Sequence, residues 1–204
     1  DELSKGLDFV NDAKGTALEE GATTVTVAVA FGEEIADASK APTTATLDST
    51  NKKKMSLDLS EWVRANQTNK GKAFTVTYYA KVNKDAVVTE KNNAQLEYGN
   101  NPKETTKTTP SEAKTPTYPL DILKKEKTSE KELAGAKFSL YTTEADAKAG
   151  TNAITVSGSD GKYVVDPTSK NTVFESVASI EGENYNLHVN GLKAGDYWLV
   201  ETEA

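Results

Sequence analysis

The sequence predicts an all-β protein of two tandem immunoglobulin-like β-sandwich domains, residues 1–103 and 118–204, joined by a linker over 104–117. Three observations predict it. Short runs of alternating apolar and polar residues recur between polar turns, as in a sandwich of short strands. A chain of 204 residues suggests one or two domains. Between the two strand-rich halves, residues 104–117 are mostly Thr, Lys, Glu and Pro with almost no apolar side chains, which reads as an extended connection.

The elements follow in order. Residues 1–9 make a turn leading into a strand. Over Thr24–Phe31, Val25, Val27, Val29 and Phe31 alternate with small residues, giving a strand with Thr and Ala on its other face. Leu57–Asn66 contains either a short helix capped at Ser60 or a turn. Phe74–Val82 carries the strongest strand signal. Ala94–Tyr98 closes the first domain before a turn at Gly99-Asn100-Asn101-Pro102. In the second domain, Tyr118–Lys124 is a strand with Leu120, Ile122 and Lys124 on one face. Leu133–Tyr141 follows, then a helical or loop insertion near 143–149, and strands over Gly161–Val165 and Asn184–Val189. A Gly-Leu-x-x-Gly turn at 191–195 leads into the last strand, where Tyr197, Leu199 and Glu201 share one face.

Several function classes are excluded. Net charge is −7, and no basic stripe with interleaved aromatics speaks for nucleic acid. No run of about 18 apolar residues spans a membrane. Without cysteine there is no disulfide and no thiolate metal site. The single histidine, His188, lies in a strand, reads as exposed, and has no metal-ligand cluster around it. It would have to serve as the base of any Ser-His-Asp hydrolase, yet no nucleophile elbow is visible. No cofactor site and no metal site are expected.

Two positions are anomalous. Lys124 continues an apolar face, and so does Glu201. Either they are strand-end and edge residues reaching solvent, or they are ionisable groups carried inward. An unpaired buried carboxylate is costly, so an inward Glu201 has to be protonated or hydrogen-bonded.

Tyr197-x-Leu199-x-Glu201-Thr202-x-Ala204 resembles the E-box of B-type collagen-adhesin domains in sortase-assembled pilins of Gram-positive bacteria. Lys124-x-Glu126, followed by Leu133-Ala134-Gly135-Ala136-Lys137-Phe138, resembles the opening of the same domain, with Glu126 where an Asp is usual. The first domain resembles the A-type domain of backbone pilins. The matching stretches are Asp1-x-Leu3-Ser4-Lys5-Gly6-Leu7, a Thr-Val-Thr-Tyr-x-Ala-x-Val-Asn run over 75–83, and an ending from Asn92 through Leu96 and Tyr98 to Pro102. The resemblance implies a structural shaft subunit of a cell-wall-anchored surface pilus, not an enzyme. Its domains would be stapled by self-formed Lys–Asn isopeptide bonds. Glu201 and Asp1 would promote the bonds, Lys124 would be a donor and Asn92 an acceptor. Asn92 shares strand parity with Ala94, Leu96 and Tyr98 and so faces the core, whereas Asn93 points outward.

By the same resemblance both domains are truncated. The donor lysine for Asn92 lies upstream of Asp1, and the acceptor asparagine for Lys124 lies beyond Ala204; Asn184, Asn186 and Asn190 are not assigned to that role. The implied partners are neighbouring pilin subunits in a head-to-tail polymer and a sortase during assembly. No Tyr-Pro-Lys pilin motif and no Leu-Pro-x-Thr-Gly sorting signal occurs in the sequence. The alternative is a tip or basal pilin, or an adhesin module binding a host surface ligand, for which only Trp62 and Trp198 are available as an indole platform.

Overall fold

The computed structural model describes residues 1–32, 40–101 and 103–204; Pro102 of the expected closing turn lies outside them. Among the described residues the fold is all-β apart from two short α-helices and one 3₁₀ turn. It divides into two compact units, residues 1–81 with 91–114 and residues 82–90 with 115–204.

The first unit begins with β1 (Glu2–Leu3) and β2 (Leu7–Val10). The run expected as one strand over Thr24–Phe31 is two, β3 (Thr24–Thr26) and β4 (Ala28–Phe31). Val25, Val27 and Val29 are all buried, as the alternation requires. The pairing changes at Val27, however. β3 pairs with β5 (Thr44–Leu47), whose other neighbour is β6 (Met55–Ser56), while β4 pairs with β7 (Phe74–Thr77). The strong strand over Phe74–Val82 breaks likewise at Tyr78, and β8 (Tyr79–Val82) pairs with β2. Strands that switch sheets in mid-run turn the corners of a sandwich.

Helix α1 covers Ser60–Ala65. Ser60 is its first residue rather than its cap, and the Asp58 carboxylate accepts the Ser60 N–H at 2.8 Å. Trp62 pins the helix down. It is 1% exposed, stacks on Phe31 at 4.4 Å and meets Phe74 edge-on at 5.7 Å.

β9 (Thr89–Ala94) places Asn92 half-buried and Asn93 exposed, as parity predicts. The core face does not continue to Leu96 and Tyr98, which are 44% and 53% exposed. The strand breaks after Ala94, and β10 (Glu97–Asn101) folds into an exposed hairpin with β11 (Glu104–Lys107). The segment expected as a linker thus holds β11 and also β12 (Ser111–Pro116), which pairs with β9. Every residue of β11 and β12 is exposed. A strand with neither face buried lacks the alternation by which strands are read from sequence.

The second unit is a sandwich. One sheet has the order β13 (Tyr118–Ile122), β18 (Leu187–Leu192), β16 (Lys162–Val165), β15 (Val156–Ser159). The other is β17 (Phe174–Glu175), β14 (Lys137–Tyr141), β19 (Trp198–Glu203). Phe138 and Leu140 of β14, Phe174 of β17, Tyr163 of β16 and Leu187 and Val189 of β18 form the core between them. The first sheet is mixed, because β16 and β18 run parallel. Helix α2 (Glu144–Ala149) fills the expected insertion, with the Thr143 hydroxyl accepting the Asp146 N–H and Gly150 left-handed at its end. Gly191 lies within β18 rather than in a turn. Its φ is +81°, and a Cβ there would approach Val164 Cγ2 to 3.2 Å. Segment 82–90 belongs to this unit through main-chain contacts: Asn190 Nδ2 donates to Ala86 O at 2.8 Å and Thr117 N to Val88 O at 2.9 Å.

Candidate functional site: two carboxylate-centred clusters

In the second unit the two anomalous residues meet. Lys124 lies just past the end of β13 and Glu201 in the middle of β19, so each comes from a different sheet of the sandwich. Lys124 Nζ is 2.7 Å from Glu201 Oε1 and 2.9 Å from Oε2. The side chains are 23% and 33% exposed, against 38% and 62% for the neighbouring Lys137–Glu203 pair. Glu201 is therefore not carried deep into an apolar interior, as the alternation predicted. The face it shares with Tyr197 and Leu199 is only partly covered, and Leu199 is 41% exposed. An ion pair at this exposure is worth about 0–1 kcal/mol, too little to explain the placement on stability grounds.

Asn186 fixes the Lys124 backbone. Its side chain is fully buried, and Oδ1 accepts the Lys124 N–H at 2.8 Å. Nδ2 donates to the carbonyls of Lys124, Leu133 and Val177 at 3.0, 3.1 and 2.9 Å. Every hydrogen-bonding position of this carboxamide but one acceptor lone pair is used on main chain. Asn186 is thus a bracket that holds the strand end from which Lys124 projects. Sequence reading missed this role; the available signal was an Asn immediately before the apolar Leu187.

The first unit has a second cluster. β1 and β9 are antiparallel neighbours with Leu3 opposite Asn92, which brings Asp1 to the acceptor candidate's end of β9. No hydrogen bond among the described residues joins Asp1 to Asn92 directly. Tyr78, at the break between β7 and β8, stands between them. Its hydroxyl donates to Asp1 Oδ1 at 2.9 Å and accepts from Asn92 Nδ2. Asn92 Oδ1 is buried with no hydrogen-bond partner among the described residues. Burial pushes the Tyr78 phenol upward from its ordinary value, and the Asn92 hydrogen bond opposes that only in part. The sequence marked Tyr78 as part of a strong strand and of the Thr-Val-Thr-Tyr stretch, and assigned it no role at the site.

His188, expected as exposed, is not. Its side chain is 17% exposed, lies 2.5 Å from Asp121 Oδ1 and stacks on Tyr185. Among the described residues no group of three or more His, Asp or Glu side chains is arranged to hold a metal ion. No helix among them is long and apolar enough to cross a membrane.

An all-β sandwich whose two sheets are bridged by a lysine–glutamate pair is the class these observations define. Residues 119–204 match the family model described as SpaA: Prealbumin-like fold domain. That match fits a domain of the Gram-positive pilin or surface-adhesin type and covers the β13–β19 sandwich with both members of the Lys124–Glu201 pair. Comparison with curated proteins finds no match.

Proposed function

We propose that this chain is part of a structural shaft subunit of a covalently polymerised, cell-wall-anchored pilus, and that both units are self-crosslinking. The observation that carries the reading is the Lys124–Glu201 contact at 2.7 Å, which joins the two sheets of the matched domain. Lys124 is the amine donor, and Glu201 is the acid–base partner. The acceptor is an asparagine carried by a segment that covers the Leu199 face.

Covering that face removes water from the pair. A lysine–carboxylate pair taken out of water moves towards neutral amine and neutral acid, because burial disfavours both charges. The neutral amine attacks the carboxamide carbon, and ammonia leaves. The acid form of Glu201 polarises the carbonyl and supplies a proton to the leaving group. The sandwich holds the groups in place, so proximity does much of the work. Each molecule reacts once, so the chemistry is self-processing without turnover.

In the first unit Asn92 is the acceptor and Asp1 the promoter. The buried Oδ1 of Asn92, without a hydrogen-bond partner among the described residues, supports the reading, because a buried carboxamide oxygen in that state is costly unless a group approaches it. The partners in this reading are a sortase during assembly and neighbouring subunits along the polymer.

The test is the intact mass of the full-length protein carrying this chain. Each bond releases ammonia, a loss of ~17 Da by the stoichiometry of acyl transfer. Two such losses are expected, with one restored by Glu201→Ala. Full calculated mass in both proteins would overturn the cross-link reading and favour a plain adhesin module that holds a host ligand.

A further inference from the structure

We propose that the Tyr78 hydroxyl is a reacting group of the first unit's cross-link, relaying a proton between the Asp1 carboxyl and the Asn92 carboxamide nitrogen. The proposal rests on the reading above that Asn92 accepts a neutral lysine amine. Three residues far apart in sequence converge to build the chain: Asn92 Nδ2–H to Tyr78 Oη, and Tyr78 Oη–H to Asp1 Oδ1 at 2.9 Å. No hydrogen bond joins Asp1 to Asn92 directly among the described residues, and the hydrogen-bonded route between them runs through Tyr78. The Tyr78 ring is held edge-on to Phe9 at 5.7 Å, which keeps the hydroxyl aimed. Burial keeps the phenol protonated, and a neutral O–H both accepts and donates.

The reaction has a specific need for such a link. As the amine nitrogen bonds to Asn92 Cγ, the carbonyl electron pair moves to Oδ1. Nδ2 becomes pyramidal and gains a basic lone pair it lacks in the planar amide. It leaves as ammonia only after taking one more proton. With Asp1 as the neutral acid, the hydrogen bonds run the other way. The acid O–H donates to Tyr78 Oη, and the phenol O–H donates to Nδ2. One concerted shift protonates Nδ2, leaves the phenol intact and makes Asp1 a carboxylate. Collapse of Oδ1 reforms the carbonyl and breaks the C–Nδ2 bond. Asp1 then recovers a proton from the attacking nitrogen, which has one to lose. The balance is one amine and one primary carboxamide giving one secondary amide and one ammonia. Asn92 Oδ1, buried and without a hydrogen-bond partner among the described residues, is left for the donor side to stabilise.

The test follows cross-link formation at Asn92 in the full-length protein by time-resolved intact mass and peptide mapping, for wild type, Tyr78→Phe, Asp1→Asn and the double variant. Phe keeps the ring against Phe9 and removes only the hydroxyl. Tyr78→Phe is expected to slow the bond at least about 100-fold, the lower end of general acid–base contributions. The double variant should be no slower than the slower single variant, as for groups that act as one unit. Cross-linking of Tyr78→Phe at the wild-type rate, with Asp1→Asn still impaired, overturns the relay and leaves Asn92 as acceptor. A wild-type protein with Asn92 unlinked overturns the underlying reading, and the relay with it.

Discussion

Replacing Asn186 with Ala tests whether the lysine-bearing strand end is held by a single buried carboxamide. Four hydrogen bonds are lost with the side chain. Two of the partners keep another bond: Lys124 O still accepts Leu133 N at 2.9 Å, and Leu133 O still accepts Ser176 Oγ at 2.7 Å. The Lys124 N–H and the Val177 carbonyl depend on Asn186. Two part-buried groups left unpaired cost about 1–3 kcal/mol each, about 2–6 kcal/mol together. At about 1.4 kcal/mol per factor of ten, amide hydrogen exchange in β13 and β18 should accelerate between about 30-fold and 10⁴-fold. Peptides covering β3 and β5 in the first unit serve as the control and should keep their parent rates. Exchange in β13 and β18 within about three-fold of the parent would refute the bracket, because it would mean that water or main-chain rearrangement satisfies both groups at little cost.

Other outcomes follow from the same geometry. Phe174 is fully buried and packs against Phe138 and Tyr163 at ring distances of 6.3 and 6.0 Å. Phe174→Ala should therefore cost the second unit about 3–5 kcal/mol in chemical denaturation. Gly161 has φ +74°, and a Cβ there would meet Val177 Cγ2 at 2.8 Å, so Gly161→Ala should destabilise by about 1–2 kcal/mol from the left-handed backbone before any clash is counted. The Thr50 hydroxyl, with the N–H groups of Asn51 and Thr50, holds the Asp48 carboxyl down to about 2. A depressed folded value means that the turn's extra stability is complete above the ordinary carboxylate range and is lost as pH falls through about 2. A carboxyl titration by NMR should show that low midpoint, and Thr50→Val should raise it.

Much of this was legible in the sequence, for reasons that differ by position. Val25, Val27 and Val29 alternate because one face is buried, and all three are buried in the fold. Lys124 and Glu201 were visible as ionisable residues continuing apolar faces, and the fold joins them. What alternation does not encode is the partner of each strand. The breaks at Val27 and Tyr78 leave the apolar pattern intact and change only which strand lies alongside. β11 and β12 were read as linker because strand pairing needs only backbone, and their side chains bury nothing. The depth of Glu201 was overestimated because parity tells which face a residue is on and not how well that face is covered. The roles of Tyr78 and Asn186 were missed because they depend on groups 9 to 77 residues away in sequence.

The most direct test of the cross-link account is a tryptic map of the full-length protein isolated from the cell surface. Trypsin cleaves after a free lysine but not after one whose amine is acylated. With Lys124 acylated, no cleavage occurs after it, and a branched peptide appears in which Lys124 is joined to an asparagine-derived carbonyl with loss of ammonia. Linear peptides ending at Lys124, with no branched species, would contradict the cross-link and leave Lys124–Glu201 as an ordinary ion pair between two sheets.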